Sequence, residues 1–142
     1  ANKLCTEEAY PYTATGPNQC QTSCTGKVGI SSYQDVAQDD EGQLQAAVAQ
    51  QPVSIAIEAD QSAFQFYSGG VFDASCGTQL DHGVLIVGYG TMSGKDFWKV
   101  KNSWGASWGD QGYIYMIRHA NAKDSGECGL AMQPSYPTGP VM

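Results

Sequence analysis

Hydrophobic positions in this chain come in short stretches, most of them with a period of two. Residues 84–87 form an unbroken apolar run, the pattern of a strand buried on both faces. Residues 97–102 alternate, with Trp98, Val100 and Asn102 on one face and Phe97, Lys99 and Lys101 on the other. The polar stretch 91–96, containing Gly94, separates the two and predicts a hairpin loop. Such a hairpin brings His82, at the entrance of its first strand, and Asn102, at the end of its second, to one open end, opposite or diagonal to each other. Residues 53–58 also alternate, with Val53, Ile55 and Ile57 against Ser54, Ala56 and Glu58, and predict a half-buried strand. Residues 113–118 predict another, with Tyr113, Tyr115 and Ile117 on one face.

A helical period is clearest near the front. Leu44, Ala47 and Val48 share one face, Asp40 and Gln43 stand as N-cap and third residue of a capping box, and Pro52 bars continuation. Residues 62–67 predict one or two helical turns stopped by Gly69 and Gly70. Residues 1–35 read as extended, turn-rich chain punctuated by Pro11, Gly16, Pro17 and Gly26, with Cys5, Cys20 and Cys24 available to staple it. The tail reads as coil with a short edge strand. Strands joined by short loops with few helices predict an α+β fold, an antiparallel sheet closed into a barrel-like layer under one short covering helix.

A length of 142 residues allows one domain with a real core. A net charge of −7 and a pI near 4.5 argue against a nucleic-acid-binding surface. No apolar run is long enough for a membrane-spanning helix. Ala1 opens the chain without Met or signal peptide, which predicts a processed or excised start. Five cysteines leave one over and suggest a partner outside the chain. Zinc is the rival reading of Cys20 and Cys24, but no second pair or local His completes four ligands, so neither metal nor cofactor is expected.

The chemistry centres on His82 and Asn102. An Asn oxygen that accepts from one ring nitrogen of a His fixes its tautomer and leaves the other nitrogen for a nucleophile. The plainer reading of the same pair is a core histidine satisfied by a neighbour. His119 lies outside any motif and reads as an exposed strand-end residue.

LDHGVLIVGYG (80–90) followed by KNSWGASWGDQGYI (101–114) resembles the His and Asn segments of the papain-type (cathepsin L-like) cysteine peptidases. EEAYPY (7–12), CGL (128–130) and SYP (135–137) are similar to further segments of that family, so the resemblance spans nearly the whole chain. It implies a papain-like right domain over residues 36–142, led by a disulfide-stapled crossover segment, residues 1–35. It makes His82 the general base, Asn102 its orienting residue, Trp104 the cover of their bond and Trp108 the border of the leaving-group side. Ala56, Leu80, Asp81, Gly83 and Gln133 match cleft positions, and Ala56, Leu80, Gly83 and Gln133 those of the pocket for the residue two before the cut. It pairs Cys76 with Cys128, assigns Cys20 a partner outside the chain and leaves Cys5 and Cys24 for each other.

One departure is decisive. The family's C-G-[SA]-C-[WY] run around the nucleophile does not occur in these 142 residues. The chain looks like the C-terminal two-thirds of such an enzyme. The resemblance therefore implies an endopeptidase that works through a thioester, of which this chain supplies base and orienting residue and is inactive alone. The implied partners are peptide or protein substrates, a left domain or second chain, and propeptide or cystatin-like inhibitors; the implied location is lysosomal, vacuolar or secreted. The alternative is a non-catalytic or serine-bearing relative acting as a binding, storage or structural protein.

Overall fold

In the computed structural model, residues 3–15, 19 and 24–141 are described; Cys20, Gly16 and Pro17, expected to staple or turn the front segment, lie outside them. The chain forms two compact units, residues 35–136 and residues 1–34 with 137–142.

The larger unit is built on the predicted strands. β2 (Val53–Ile57), β4 (His82–Met92), β5 (Lys95–Lys101) and β6 (Tyr113–Ile117) are consecutive antiparallel neighbours. β3 (Val71–Phe72) lies parallel to β6, and β7 (Ser135–Val141) joins β2 through Ser54 and Ser135. β1 (Gly29–Asp35) and β3 end the order and do not pair with each other, so the sheet is open. The expectation of a closed, wholly antiparallel layer is thus corrected. The two-residue β3 lies along β6, and among the described residues no strand bridges it to the other end of the order.

Alternation along the strands decides what is buried. Val53, Ile55 and Ile57 of β2, Val84 and Ile86 of β4, and Trp98 and Val100 of β5 face one core. At Val87 the register slips: Ile86 faces Val100, but Gly88 already faces Lys99. This bulge shifts the phase by one residue, so the face carrying Val84 and Ile86 continues at Tyr89, whose ring meets Trp98 edge-on at 5.9 Å. The hairpin turn is shorter than expected. Strand pairing runs to Met92 and Lys95, leaving Ser93 and Gly94 at φ 51° and 78°, the left-handed pair of a type I′ turn that fits the strand twist.

Helix α1 (Glu41–Val48) buries Leu44, Ala47 and Val48 against this core. Its N-cap is Asp40, whose carboxyl accepts from Gln43 N at 3.0 Å, as the sequence predicts. Glu41 is also buried, and its Oε2 accepts from Trp98 Nε1 at 2.8 Å, tying the helix to β5. A second helix, α2 (Ser62–Gln65), covers its own part of the core with Phe64.

The smaller unit contains β1 (Gly29–Asp35), a strand the turn-rich reading of residues 1–35 did not anticipate. Its sequence is mostly polar and its side chains exposed, so no apolar period marks it. β1 neighbours β7, and Ser31 Oγ donates to Gly139 O at 3.0 Å. Gly139 has φ 59°, and a Cβ there would sit 2.7 Å from Ser31 Oγ, so both conformation and space call for glycine. A Leu4–Val28 bridge and the Cys5–Cys24 disulfide hold the front of this unit.

Candidate active site

His82 is the first residue of β4 and pairs with Ile57 of β2. It shares a face with Val84 and Ile86, while Asn102 shares the face of Trp98 and Val100. Continuing the register beyond Ile86 and Val100 puts Asn102 across from Val84 and diagonal to His82. The side chains meet: His82 Nε2 lies 2.8 Å from Asn102 Oδ1. The same oxygen accepts from Ser103 N at 2.7 Å. A backbone N–H only donates, so this atom of the amide is the oxygen, and His82 must donate to it from Nε2. Nδ1 has no hydrogen-bond partner among the described residues and keeps a lone pair able to accept a proton.

Asn102 is held as firmly as its partner. Its side chain is buried, and its N donates to the carbonyl of buried Gly112 at 3.0 Å. Between them the chain turns tightly, with Gly112 N donating to Trp108 O at 2.8 Å. Gly109 lies at φ 58°, where a Cβ would come within 2.5 Å of Tyr113 O. The amide Nδ2 of Asn102 is buried and makes no hydrogen bond among the described residues.

An aromatic cluster leans on the pair. Trp104 lies over the His82 ring, centroids 5.0 Å apart and planes 32° apart. Trp104 meets Trp108 edge-on at 5.2 Å and Phe64 at 5.7 Å. Trp108 is fixed by its Nε1, which donates to Gln65 O at 2.9 Å. The sequence reading missed Phe64. It is fully buried at the centre of this cluster, and only its place on the inward side of α2 signals it.

The remaining sequence candidates lie on β2 and β4 and in the segments beside them. Ala56 faces Gly83 across β2 and β4, on the sheet face opposite His82. The Ser54–Ser135 pair brings the chain that carries Gln133 alongside β2. Leu80 rests against the Gly129 and Met132 turn, just before Gln133. Asp81 is engaged by backbone: its Oδ1 accepts from Ala59 N at 2.8 Å and its own N donates to Ile57 O at 3.0 Å. It fixes the approach to His82. Cys76 and Cys128 are joined by a disulfide. Glu58, on the polar side of the β2 alternation, is nonetheless buried.

The arrangement turns one ring nitrogen of His82 to Asn102 and leaves the lone pair of the other, Nδ1, as the site's proton acceptor in chemical principle. Four of the five cysteines form disulfides, Cys5 with Cys24 and Cys76 with Cys128, so none of the four is a free thiol facing that nitrogen.

Comparison with known proteins matches residues 1–138 to the profile described as papain family cysteine protease. The chain is 53% identical over 135 residues to the probable cysteine protease RD21C of Arabidopsis thaliana, covering 94% of this chain and 30% of that one. It is 53% identical over 134 residues to the oryzain beta chain of Oryza sativa subsp. japonica, covering 94% and 28%. The structure superposes on the bromelain protease of Ananas comosus, solved with the E64 inhibitor, with a TM-score of 0.88 at 40% identity, covering 96% of this chain and 63% of that one. It superposes on the proform of the ragweed pollen allergen Amb a 11 cysteine protease with a TM-score of 0.82 at 42% identity, covering 93% and 36%. The chain spans 28% to 40% of the length of curated relatives it matches.

Proposed function

The chain belongs to the papain family of cysteine proteases, and from that membership we propose that it carries the proton-transfer half of a cysteine endopeptidase site. His82 is the general base and later the general acid, Asn102 orients it, and Trp104 shields their bond. The observation that carries this reading is the 2.8 Å His82 Nε2–Asn102 Oδ1 contact, with Ser103 N fixing the amide from the other side. It leaves Nδ1 for a thiol, and an imidazolium beside a thiol lowers the thiol pKa toward a thiolate–imidazolium pair. The nucleophile comes from chain outside these 142 residues, which alone do not hydrolyse peptides. Residues 36–142 act as the domain bearing the pair, and residues 1–35 lead into it.

Attack of the thiolate on the scissile carbonyl forms a thioester and expels the amine, which takes the proton from His82 Nδ1. His82 then removes a proton from water, which attacks the thioester and restores the thiol. Ala56, Leu80 and Gly83 give a pocket that favours an aliphatic or aromatic residue two before the cut, with uncharged Gln133 at its floor. Propeptide-like segments and E64-type inhibitors are the expected ligands of the assembled cleft, as the named forms of the related proteases suggest. Two disulfides support an oxidising compartment, vacuolar, lysosomal or secreted. No helix of the described residues is long and apolar enough to cross a membrane.

The test is a hybrid enzyme, these 142 residues joined behind the matching N-terminal part of the Ananas comosus protease. Expected are peptide turnover blocked by a thiol alkylator and a loss of kcat on the order of a million-fold in His82→Ala. A folded hybrid whose turnover survives His82→Ala contradicts the assignment.

A further inference from the structure

The loop that delivers His82 is held by a second buried acid. Glu58 follows the last residue of β2, and its side chain, 6% exposed, turns toward the segment between Cys76 and His82. Its Oε2 accepts from Gln79 N at 2.6 Å, and its Oε1 accepts from Gln61 Nε2 at 3.0 Å. Gly77 lies directly on the carboxyl: a Cβ built there would come within 2.2 Å of Oε2 and 2.7 Å of Oε1. No left-handed φ is involved at this glycine, so the effect of a side chain here is the close approach itself, which would force the Glu58 carboxyl to shift off its place against Gln79 N.

These contacts close a circuit. Glu58 N donates to Cys128 O at 2.9 Å, and Cys128 is bonded to Cys76, the residue before Gly77. The loop is thus fixed at Cys76 by the disulfide and at Gln79 by the Glu58 carboxyl, both referred to the same point at the end of β2. From Gln79 only Leu80 and Asp81 remain before His82. Asp81 is clipped to Ile57 O and Ala59 N, on either side of Glu58. Without Glu58, the 77–80 stretch has a peptide N–H to re-satisfy and room to move, and its motion is transmitted to the first residue of β4.

We propose that Glu58 is a positioning residue for His82, acting through the 77–81 loop and depending on the bare backbone of Gly77. This rests on the reading of His82 as the general base. Glu58 touches neither the ring nor the place where substrate would react; it holds the backbone that carries the ring, and so keeps the ring where Asn102 Oδ1 can fix its tautomer.

The test is ¹⁵N NMR of the His82 ring nitrogens in the 142-residue chain, with amide hydrogen exchange at Gln79. Glu58→Ala and Gly77→Ala attack the contact from its two sides, and Glu58→Gln keeps an acceptor for Gln79 N. Expected in Glu58→Ala and Gly77→Ala are a mixture of ring tautomers and Gln79 exchange roughly five- to tenfold faster, the size set by one hydrogen bond. Glu58→Gln restores the single tautomer. Should Glu58→Ala not fold, Gly77→Ala against Glu58→Gln carries the comparison. Faster Gln79 exchange with an unchanged ring spectrum overturns the proposal and leaves Glu58 a loop anchor only. The wild-type spectrum reports separately on the base reading, which fails if Nδ1 rather than Nε2 carries the proton.

Discussion

His82 Nε2 and Ser103 N converge on one atom, Asn102 Oδ1, at 2.8 and 2.7 Å. Two donors on one oxygen fix the amide, and the fixed amide fixes the ring. The cost lies on the other amide atom, Nδ2, which is buried without a partner.

Asn102→Ala therefore separates stability from chemistry. It loses two hydrogen bonds but also removes the unsatisfied Nδ2, so the two effects largely offset. The expected change in unfolding free energy is under about 1 kcal/mol. His82 should lose its tautomer preference, and kcat of the hybrid enzyme should fall while KM holds. Urea unfolding and ring ¹⁵N shifts check the two halves.

Phe64→Ala tests the support beneath the tryptophans. Phe64 is fully buried and touches Phe72, Trp104 and Trp108. Truncation leaves a cavity and should lower stability by about 3–5 kcal/mol. Near-ultraviolet circular dichroism should lose its tryptophan bands in the folded variant. Unchanged bands would mean that Trp104 is held by His82 and Trp108 alone.

The Cys76–Cys128 bond closes a long loop, a sequence separation of 52. By loop entropy, replacing both cysteines with Ser should cost about 4 kcal/mol. Peptide mapping without reduction should recover the two cysteines in one linked fragment, and the urea midpoint of the double variant should fall accordingly. Recovery of both as free thiols would contradict the pairing.

Stability should peak in mildly acidic solution. Burial pushes Glu41 above its ordinary value of 4.5, against the donors Trp98 Nε1 and His119 N, and burial pushes Glu127 up in the same way. Each binds its proton more tightly when folded, so its contribution is fullest below 4.5 and declines as pH rises through the folded value. Asp40 and Asp73 behave oppositely. Hydrogen bonds from Lys123 and Lys95 hold them below 3.8, so their contribution is present above 3.8 and is lost as pH falls. The urea midpoint should be higher at pH 4.5 than at pH 7, and Glu41→Gln should flatten that difference. A midpoint that rises steadily to pH 7 would contradict the assignment to buried Glu41 and Glu127.

The strands around the site were legible because their periods are clean. Trp98, Val100 and Asn102 share a face by simple alternation, and that phase puts Asn102 within reach of His82. Asp40 and Gln43 were legible as a cap because the motif is local. β1 was hidden because GISSYQD carries no apolar period. The bulge at Val87 was hidden because four apolar residues in a row give no phase to interrupt. The burial of Glu58 was hidden, since alternation assigns it a face with Ser54 and Ala56 but not what covers that face; the covering loop arrives 21 residues later at Gln79. The closed barrel was overcalled, because strand count alone does not say whether the last strand meets the first.

The most direct test of the account is the protonation state of the His82 ring, read from ¹⁵N shifts of Nδ1 and Nε2 between pH 4 and 9. Expected is one neutral form, with the proton on Nε2 toward Asn102 and a free lone pair on Nδ1, and loss of that preference in Asn102→Ala. A neutral ring protonated at Nδ1, or a preference that survives Asn102→Ala, would contradict it.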